Sequence, residues 1–179
     1  MSSKTGAVET QRLFFALWPD AGLQHQFASV AQALLPTQSV RRVRPENLHC
    51  TLVFLGAVNA EQRLCLEQAA NEVHVPRFTL VLDRSGYFRK PQVAWLGSSR
   101  LPVELLELVA GLTHAAEVCG FPPEQRPYAV HLTVARKVAR DPGRLPFLPV
   151  SWTVQRFALV ESVSTPDGMG YRPLCFWEL

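Results

Sequence analysis

Apolar residues along the chain follow two kinds of spacing, and these predict a succession of strands and helices. Short runs rich in β-branched and aromatic residues predict strands, whereas apolar residues three or four positions apart predict helices. The predicted strands cover residues 12–19, 48–56, 77–88, 92–99, 128–136, 151–162 and 171–179. The predicted helices cover residues 20–35, 60–73 and 102–120. This order predicts an α+β protein with two similar lobes, each a small sheet backed by helix.

The ends of the predicted helices carry the residues that such ends favour. Asp20 precedes the first helix as a capping residue, and Asn59 with Gln62 forms a capping-box pattern before the second. Pro102 suits the first turn of the third helix, and Gly120 suits its C-terminal end. The helix boundaries are therefore predicted from polar and special residues as well as from the apolar spacing.

The sequence His-x-Thr occurs twice, once in each half of the chain, and each time inside a predicted strand. The first copy lies in NLHCTLVFLG and the second in AVHLTVARK. Residues two apart along a strand point to the same face, so the histidine and threonine of each copy share a face. The residues concerned are His49 and Thr51, and His131 and Thr133. If the two strands approach each other, two imidazoles and two hydroxyls meet in one groove.

Such a groove favours chemistry at phosphorus. In-line displacement needs a base on the attacking oxygen, an acid on the leaving oxygen and hydrogen-bond donors for the non-bridging oxygens. Histidine titrates near neutral pH and threonine donates hydrogen bonds, so each copy supplies one group of each kind. Three alternatives stay open: structural histidines, a chance repetition, and a zinc site. The zinc site is disfavoured because no carboxylate or cysteine stands at ligand spacing beside either copy.

Composition is that of an ordinary globular protein. The chain has 179 residues, of which 47% are hydrophobic and 18% charged. We expect a flexible tail over residues 1–10 and a single bilobal domain over residues 11–179. The first residues form no apolar leader, and no apolar run reaches the length of a membrane span. The net charge of +3 permits a polyanionic partner without requiring one.

The cysteines bear on the compartment. Cys50, Cys65, Cys119 and Cys175 lie far apart and include no Cys-x-x-Cys pair. We expect each to be a small buried apolar residue in a reducing environment, which predicts a cytoplasmic protein.

The two motifs resemble those of a known superfamily. ENLHCTLVFLG (46–56) and HLTVAR (131–136) closely resemble the motifs of the 2H phosphoesterases, and most of all those of the RNA 2′,3′-cyclic phosphodiesterases, also named 2′-5′ RNA ligases. RLFFALWP, RRVRPENLH and SGYFRKPQVAWLG extend the resemblance to about residues 11–179. It implies a bilobal α+β fold of two antiparallel-rich sheets, with helices outside and a central groove carrying one motif per lobe.

The resemblance also implies an activity. The family opens 2′,3′-cyclic phosphate ends of RNA to 2′-phosphates, and some members reversibly join RNA ends through a 2′-5′ bond. No metal and no cofactor are expected. The expected partner is the RNA end alone, with no membrane and no obligatory protein partner, and the chain is expected to be a monomer.

Residue by residue, the resemblance implies roles for both motifs. His49 and His131 are the expected acid–base pair, and Thr51 and Thr133 the expected phosphate donors. It favours His49 as acid and His131 as base, but the sequence leaves that assignment open.

Two further residues match family positions. Phe54 corresponds to a nucleobase-stacking group, and Arg136 ends the second motif. Strict alternation places both on the face opposite their threonines, so each reaches the groove only if its strand ends, twists or bulges.

Basic and aromatic residues near the motifs are further candidates for contact with RNA. Arg42, with Arg41 and Arg44 in the predicted loop 36–46, is a candidate for the RNA backbone. Tyr128 is a candidate for stacking on a base, and Tyr87 and Phe88 are weaker ones. Two other functions remain as alternatives: a phosphodiesterase of a small cyclic nucleotide, and a non-catalytic RNA-binding module.

Overall fold

The computed structural model of the chain describes residues 9–35, 40–166 and 168–179. The helices are α1 (Ala21–Leu34), α2 (Ala60–Ala70) and α3 (Val103–Val118). The strands are β1 (Gln11–Leu17), β2 (Arg41–Arg42), β3 (Cys50–Val58), β4 (Phe78–Leu82), β5 (Arg84–Phe88), β6 (Val93–Gly97), β7 (Leu132–Arg136), β8 (Val150–Val154), β9 (Arg156–Thr165) and β10 (Gly168–Glu178). A short 3-10 helix spans Pro45–Asn47.

Parts of the predicted segments fall outside the described residues. Of the tail predicted over 1–10, only Glu9 and Thr10 are described, and both are exposed. Residues 36–39 of the predicted loop and residue 167 also lie outside the description. The rest of that loop contains β2, which the apolar pattern did not predict.

The sheets confirm the predicted α+β class with antiparallel strands. The main sheet has the order β10-β9-β1-β3-β7-β6-β5, with β2 also paired to β7. Its two halves, β10-β9-β1-β3 and β7-β6-β5, meet through a single pair, Cys50 opposite Leu132. One His-x-Thr motif stands in each half, at the start of β3 and at the start of β7.

A second, two-stranded sheet pairs β4 with β8, and it divides two of the predicted strands. The strand predicted over 77–88 breaks at Asp83, and the strand predicted over 151–162 breaks at Gln155. The Asp83 carboxylate accepts a hydrogen bond from the Ser99 amide at 2.7 Å, which anchors the chain where it passes between sheets. The apolar pattern runs through both breaks, so it does not reveal them.

The main core lies between the main sheet, the helices and the second sheet. Along β1, Leu13, Phe15 and Leu17 point into this core. The alternate residues Phe14 and Ala16 belong to a smaller cluster on the other face of the sheet. That other face carries the groove described below, so the alternation of β1 separates the stabilising core from the site.

The helix ends agree closely with the sequence. The Asp20 carboxylate accepts from the Leu23 amide at 2.9 Å, and Asn59 with Gln62 forms the predicted reciprocal capping box. Pro102 immediately precedes α3, and Gly120 follows it with a φ of +88°. No helix within the described ranges is long and apolar enough to cross a membrane.

The cysteines do not all follow the prediction. Cys65 in α2 and Cys119 at the end of α3, which are 54 positions apart in sequence, form a disulfide with Cα atoms 5.8 Å apart. Cys50 is a buried free thiol, as expected, whereas Cys175 is half-buried and donates to a Glu67 carboxylate oxygen at 3.2 Å. The expectation of four unpaired apolar cysteines was wrong because α2 and α3 pack side by side, which sequence spacing does not show.

The disulfide yields a prediction about stability. The bond closes a loop of 54 residues, so the double variant Cys65→Ala/Cys119→Ala should lose about 2–4 kcal/mol in free energy of unfolding. Equilibrium unfolding in guanidinium measures the loss, with reduced wild type as the control. Both cysteines lie on the core side of the sheet, so activity should persist. Equal stability of the variant and the oxidised wild type would contradict the prediction.

Candidate active site

A groove of about 430 Å³ opens on the face of the main sheet that turns away from the main core. Both His-x-Thr motifs line it, and residues from five other strands and one loop complete it. The lining residues are Arg12, Phe14, His49, Thr51, Phe54, Phe88, Pro91, Val93, His131, Thr133, Arg136, Ser162, Met169 and Tyr171.

One backbone pair brings the motifs together. Cys50 on β3 lies opposite Leu132 on β7 in antiparallel register, and both side chains are fully buried in the main core. Because side chains alternate along a strand, the residues before and after this pair face the groove. An approximate two-fold axis through the pair therefore relates the first motif to the second, residue for residue.

Both histidine rings are held in the same way. Nδ1 of His49 lies 2.7 Å from the carbonyl oxygen of Asn47, and Nδ1 of His131 lies 2.9 Å from that of Ala129. A carbonyl oxygen only accepts, so each Nδ1 carries the hydrogen. In each neutral ring Nε2 then holds the lone pair. Each motif thus presents a nitrogen that can accept a proton and, once protonated, return it.

His49 is enclosed by aromatic rings. Trp18 stacks on it with centroids 5.5 Å apart, and Tyr171 and Phe14 approach at 4.7 Å and 5.0 Å. Burial is the largest influence on its pKa, and the positive charge of Arg136 acts in the same direction. Together they lower the pKa of His49 from 6.5 to about 4. The ring is therefore neutral at pH 7 in the unliganded groove.

His131 stands in a different setting. Like His49 it is half-buried, but its ring neighbour is Phe88, which approaches it edge-on with centroids 5.3 Å apart. The two-fold relation between the motifs therefore holds for the backbone and the Nδ1 contacts but not for the surroundings of the rings.

A β-bulge places Phe54 in the groove. Thr51 lies opposite Ala16, and Phe54 lies opposite Phe14, so both face the groove although they are three residues apart. Leu52 is the extra residue, and it points into the main core. Phe54 is 54% exposed, so it is a groove residue and not part of the core.

A second bulge does the same for Arg136. Thr133 lies opposite Trp95 and Arg136 opposite Val93, with Val134 as the extra residue of β7. Each motif therefore presents its histidine, the threonine two positions on and a third residue five positions on.

Neighbouring side chains fix the positions of these two added groups. The guanidinium carbon of Arg12 lies 4.9 Å from the centre of the Phe54 ring, a cation–π contact. Nη2 of Arg136 donates to the hydroxyl of Tyr171 at 3.2 Å. The guanidinium of Arg12 therefore covers one face of the Phe54 ring, and a hydrogen bond to Tyr171 connects Arg136 to β10.

Tyr171 is a site residue that the sequence did not reveal. Its ring contacts His49, its hydroxyl accepts from Arg136, and its amide donates to Oδ1 of Asn47 at 3.2 Å. It stands in β10, and the strand order places β9 and β1 between β10 and β3. Its position beside the groove depends on this pairing of strands, which the sequence does not show. Arg12, Ser162 and Met169 were missed for the same reason, since none lies near a motif in sequence.

Three of the weaker candidates lie elsewhere. The Tyr128 hydroxyl donates to the Thr51 carbonyl at 3.2 Å, and burial raises the pKa of Tyr128 well above its usual range. The Tyr87 hydroxyl donates to the Val138 carbonyl at 2.6 Å. Arg42 donates to the Leu35 carbonyl and lines a cleft beside the groove. Tyr128 and Tyr87 therefore hold backbone in place and do not line the groove.

The assembled groups suit an anionic phosphate ester. Two histidine nitrogens with lone pairs, two threonine hydroxyls and the guanidinium of Arg136 share one cavity. Within the described ranges, no group of three or more histidine, cysteine, aspartate or glutamate side chains is arranged to hold a metal ion.

Comparison with known proteins gives likenesses over nearly the whole chain. The profile of the family described as LigT like Phosphoesterase matches residues 17–95. The RNA 2′,3′-cyclic phosphodiesterase of Escherichia coli strain K12 is 34% identical over 173 residues, which are 96% of this chain and 98% of that protein. The protein of the same name from Archaeoglobus fulgidus is 29% identical, over 93% of this chain and 99% of its own.

A solved structure gives the same likeness. The crystal structure of E. coli LigT complexed with 3′-AMP matches with a TM-score of 0.84 at 33% identity, covering 96% of this chain and 99% of that chain.

The enclosure of His49 yields a prediction about its pKa. Burial disfavours the charged ring, so His49 should titrate near pH 4, and Tyr171→Ala should raise that pKa towards 6.5 by admitting water. Phe88→Ala, which removes the ring beside His131 instead, is the matched control and should leave the pKa of His49 in place. Imidazole ¹⁵N shifts followed against pH measure both. A wild-type His49 that titrates near 6.5 would contradict the prediction.

Proposed function

Because this chain belongs to the LigT-like phosphoesterase family, we propose that it is an RNA 2′,3′-cyclic phosphodiesterase that opens cyclic phosphate ends to 2′-phosphates. The observation that carries the proposal is the matched pair of histidines, each fixed by an Nδ1 hydrogen bond and each lining one groove. The name shared by the two curated relatives supplies the substrate class.

The proposed reaction is an in-line displacement by water. The water oxygen forms a bond to phosphorus as the bond from phosphorus to O3′ breaks. One histidine accepts a proton from the water, and the other donates a proton to O3′, so that one water is consumed and no net proton is released by the pair. In this proposal one ring acts on each side of the phosphorus, and the approximate two-fold relation of the motifs supports that arrangement.

Thr51 and Thr133 are proposed to donate hydrogen bonds to the non-bridging oxygens. Both are half-buried and line the groove beside the histidines. Arg136 adds a positive charge that is already present before substrate binds and is tied in place by Tyr171. Fixed donors of this kind stabilise charge that develops in the transition state.

We assign His49 as the acid and His131 as the base. The low pKa of His49 means that its ring is neutral until an anion enters the groove. A bound phosphodiester brings a negative charge that favours the protonated ring and so raises this pKa. The protonated His49 ring then lies among aromatic side chains that favour its neutral form. Such a ring is suited to donate its proton to a leaving alkoxide.

Two features of the proposal extend beyond hydrolysis. Joining of RNA ends through a 2′-5′ bond is the same displacement with a 5′ hydroxyl in place of water: its oxygen bonds to phosphorus as the bond to O3′ breaks, and each histidine keeps its role. Cleavage of that 2′-5′ bond back to the cyclic phosphate is the reverse, and there the roles of the histidines are exchanged. We propose a cytoplasmic monomer that needs neither metal nor cofactor. The Cys65–Cys119 disulfide is the feature that a reducing compartment would oppose.

The paired histidines yield the central prediction. His49→Ala and His131→Ala should each lower kcat for a short RNA with a 2′,3′-cyclic phosphate end by about 10²-fold or more, because each removes one proton transfer. His114→Ala, which alters an exposed helical histidine, is the matched control and should retain full activity. Activity in EDTA should equal activity without it. Full activity of either groove variant, or loss in EDTA restored by zinc, would overturn the proposal.

The assignment of acid and base yields a separate prediction. A bell-shaped pH profile does not distinguish the two rings, whereas a leaving group that needs no proton does. With thymidine 3′-(4-nitrophenyl phosphate), which releases nitrophenolate, His49→Ala should regain most of the wild-type rate. His131→Ala should stay impaired because water must still lose its proton. The opposite result would assign His49 as the base.

A further inference from the structure

A second cavity adjoins the active groove. This arginine cleft, also of about 430 Å³, is lined among the described residues by Arg41, Arg42, Val43, Arg44, Asn47, Arg136, Met169 and Tyr171. Arg136, Met169 and Tyr171 line both cavities. The cleft therefore lies next to the groove, and Arg136 borders both.

The pairing of β2 with β7 builds this cleft. Arg41 lies directly opposite Arg136 in the antiparallel register. Both residues line the cleft, so two of its positive charges come from paired positions of β2 and β7. The Arg41 guanidinium also lies against Gly168 at the start of β10, where a Cβ atom would overlap it. The absence of a side chain at Gly168 thus makes room for Arg41.

The arginines differ in how they are held. Arg42 donates to the Leu35 carbonyl and is half-buried, so it helps to fix the wall of the cleft. Arg44 has a side chain that is 54% exposed and lies 3.9 Å from a carboxylate oxygen of Glu46. An exposed ion pair of that length contributes little free energy, and the guanidinium of Arg44 stands at the wall of the cleft.

We propose that the arginine cleft binds the internucleotide phosphate on the 5′ side of the cyclic end. This inference rests on the proposed function and names its substrate class: oligoribonucleotide ends are preferred over mononucleoside 2′,3′-cyclic phosphates. Guanidinium groups match phosphate oxygens in geometry and charge. Arg136 reaches both cavities, and adjacent phosphates of a strand are separated by only one nucleoside. A single cyclic nucleotide leaves the cleft empty.

Three substrates test the charge that the cleft recognises. They are adenosine 2′,3′-cyclic phosphate, the dinucleotide ApA with a 2′,3′-cyclic phosphate end, and the same dinucleotide with a neutral methylphosphonate linkage. Wild type should show a kcat/KM for the natural dinucleotide about 10-fold to 100-fold above that for either of the others, as expected for a charge-assisted contact. Raising the salt concentration should narrow this difference.

Variants of the cleft test which residues provide the contact. Arg41→Ala and Arg44→Ala should each reduce the preference for the natural dinucleotide, and the double variant should abolish it. Arg126→Ala, which removes one exposed arginine that does not line the cleft, is matched in charge and should keep the preference. Turnover of the mononucleotide by each variant reports whether the active groove is intact.

The outcomes separate this inference from the proposed function. Equal kcat/KM for the three substrates in wild type would overturn the inference and leave the phosphodiesterase in place. A loss that is the same for all three substrates in the arginine variants would also overturn it, since the contact would then not be with the internucleotide phosphate. Failure of wild type to turn over any of them would overturn both.

Discussion

The site depends on one backbone pairing, that of Cys50 with Leu132. These residues join the two halves of the main sheet, and both bury their side chains completely. The burial sets the phase of both strands, because a shift of one residue would turn His49 and Thr51 into the core. The hydrophobic core therefore fixes which residues face the groove. The approximate two-fold axis of the pair gives the groove one histidine and one threonine from each half.

The approximate two-fold axis relates the backbone of the two histidines, but the side chains around the two rings differ. His49 lies among Trp18, Phe14 and Tyr171, whereas His131 has Phe88 at its edge. Proton transfer from the nucleophile on one side of phosphorus and to the leaving group on the other requires one ring to be neutral and the other protonated in the same complex. The aromatic enclosure lowers the pKa of His49 without altering the motif, so the two-fold relation positions the groups while the surroundings of His49 set its protonation.

Sequence reasoning anticipated the parts of the site that follow from alternation along a strand. It placed each histidine with its threonine, and it recognised that Phe54 and Arg136 reach the groove only if their strands end, twist or bulge. The positions of Leu52 and Leu55, three apart with both buried, record the change of phase in β3. Alternation along a strand does not show which strands distant in sequence pair with each other. The second sheet of β4 and β8, the Cys65–Cys119 bond and the arrival of Tyr171 all depend on such pairing.

Tyr171 shows how a residue outside both motifs couples them. The Asn47 carbonyl accepts from His49, and the Asn47 side chain accepts from the Tyr171 amide. The Tyr171 hydroxyl in turn accepts from Arg136 at the end of the second motif. A chain of hydrogen bonds thus leads from the histidine of one half, through β10, to the arginine of the other. Any movement between the halves would lengthen these bonds, so Tyr171 in β10 ties the two motifs together.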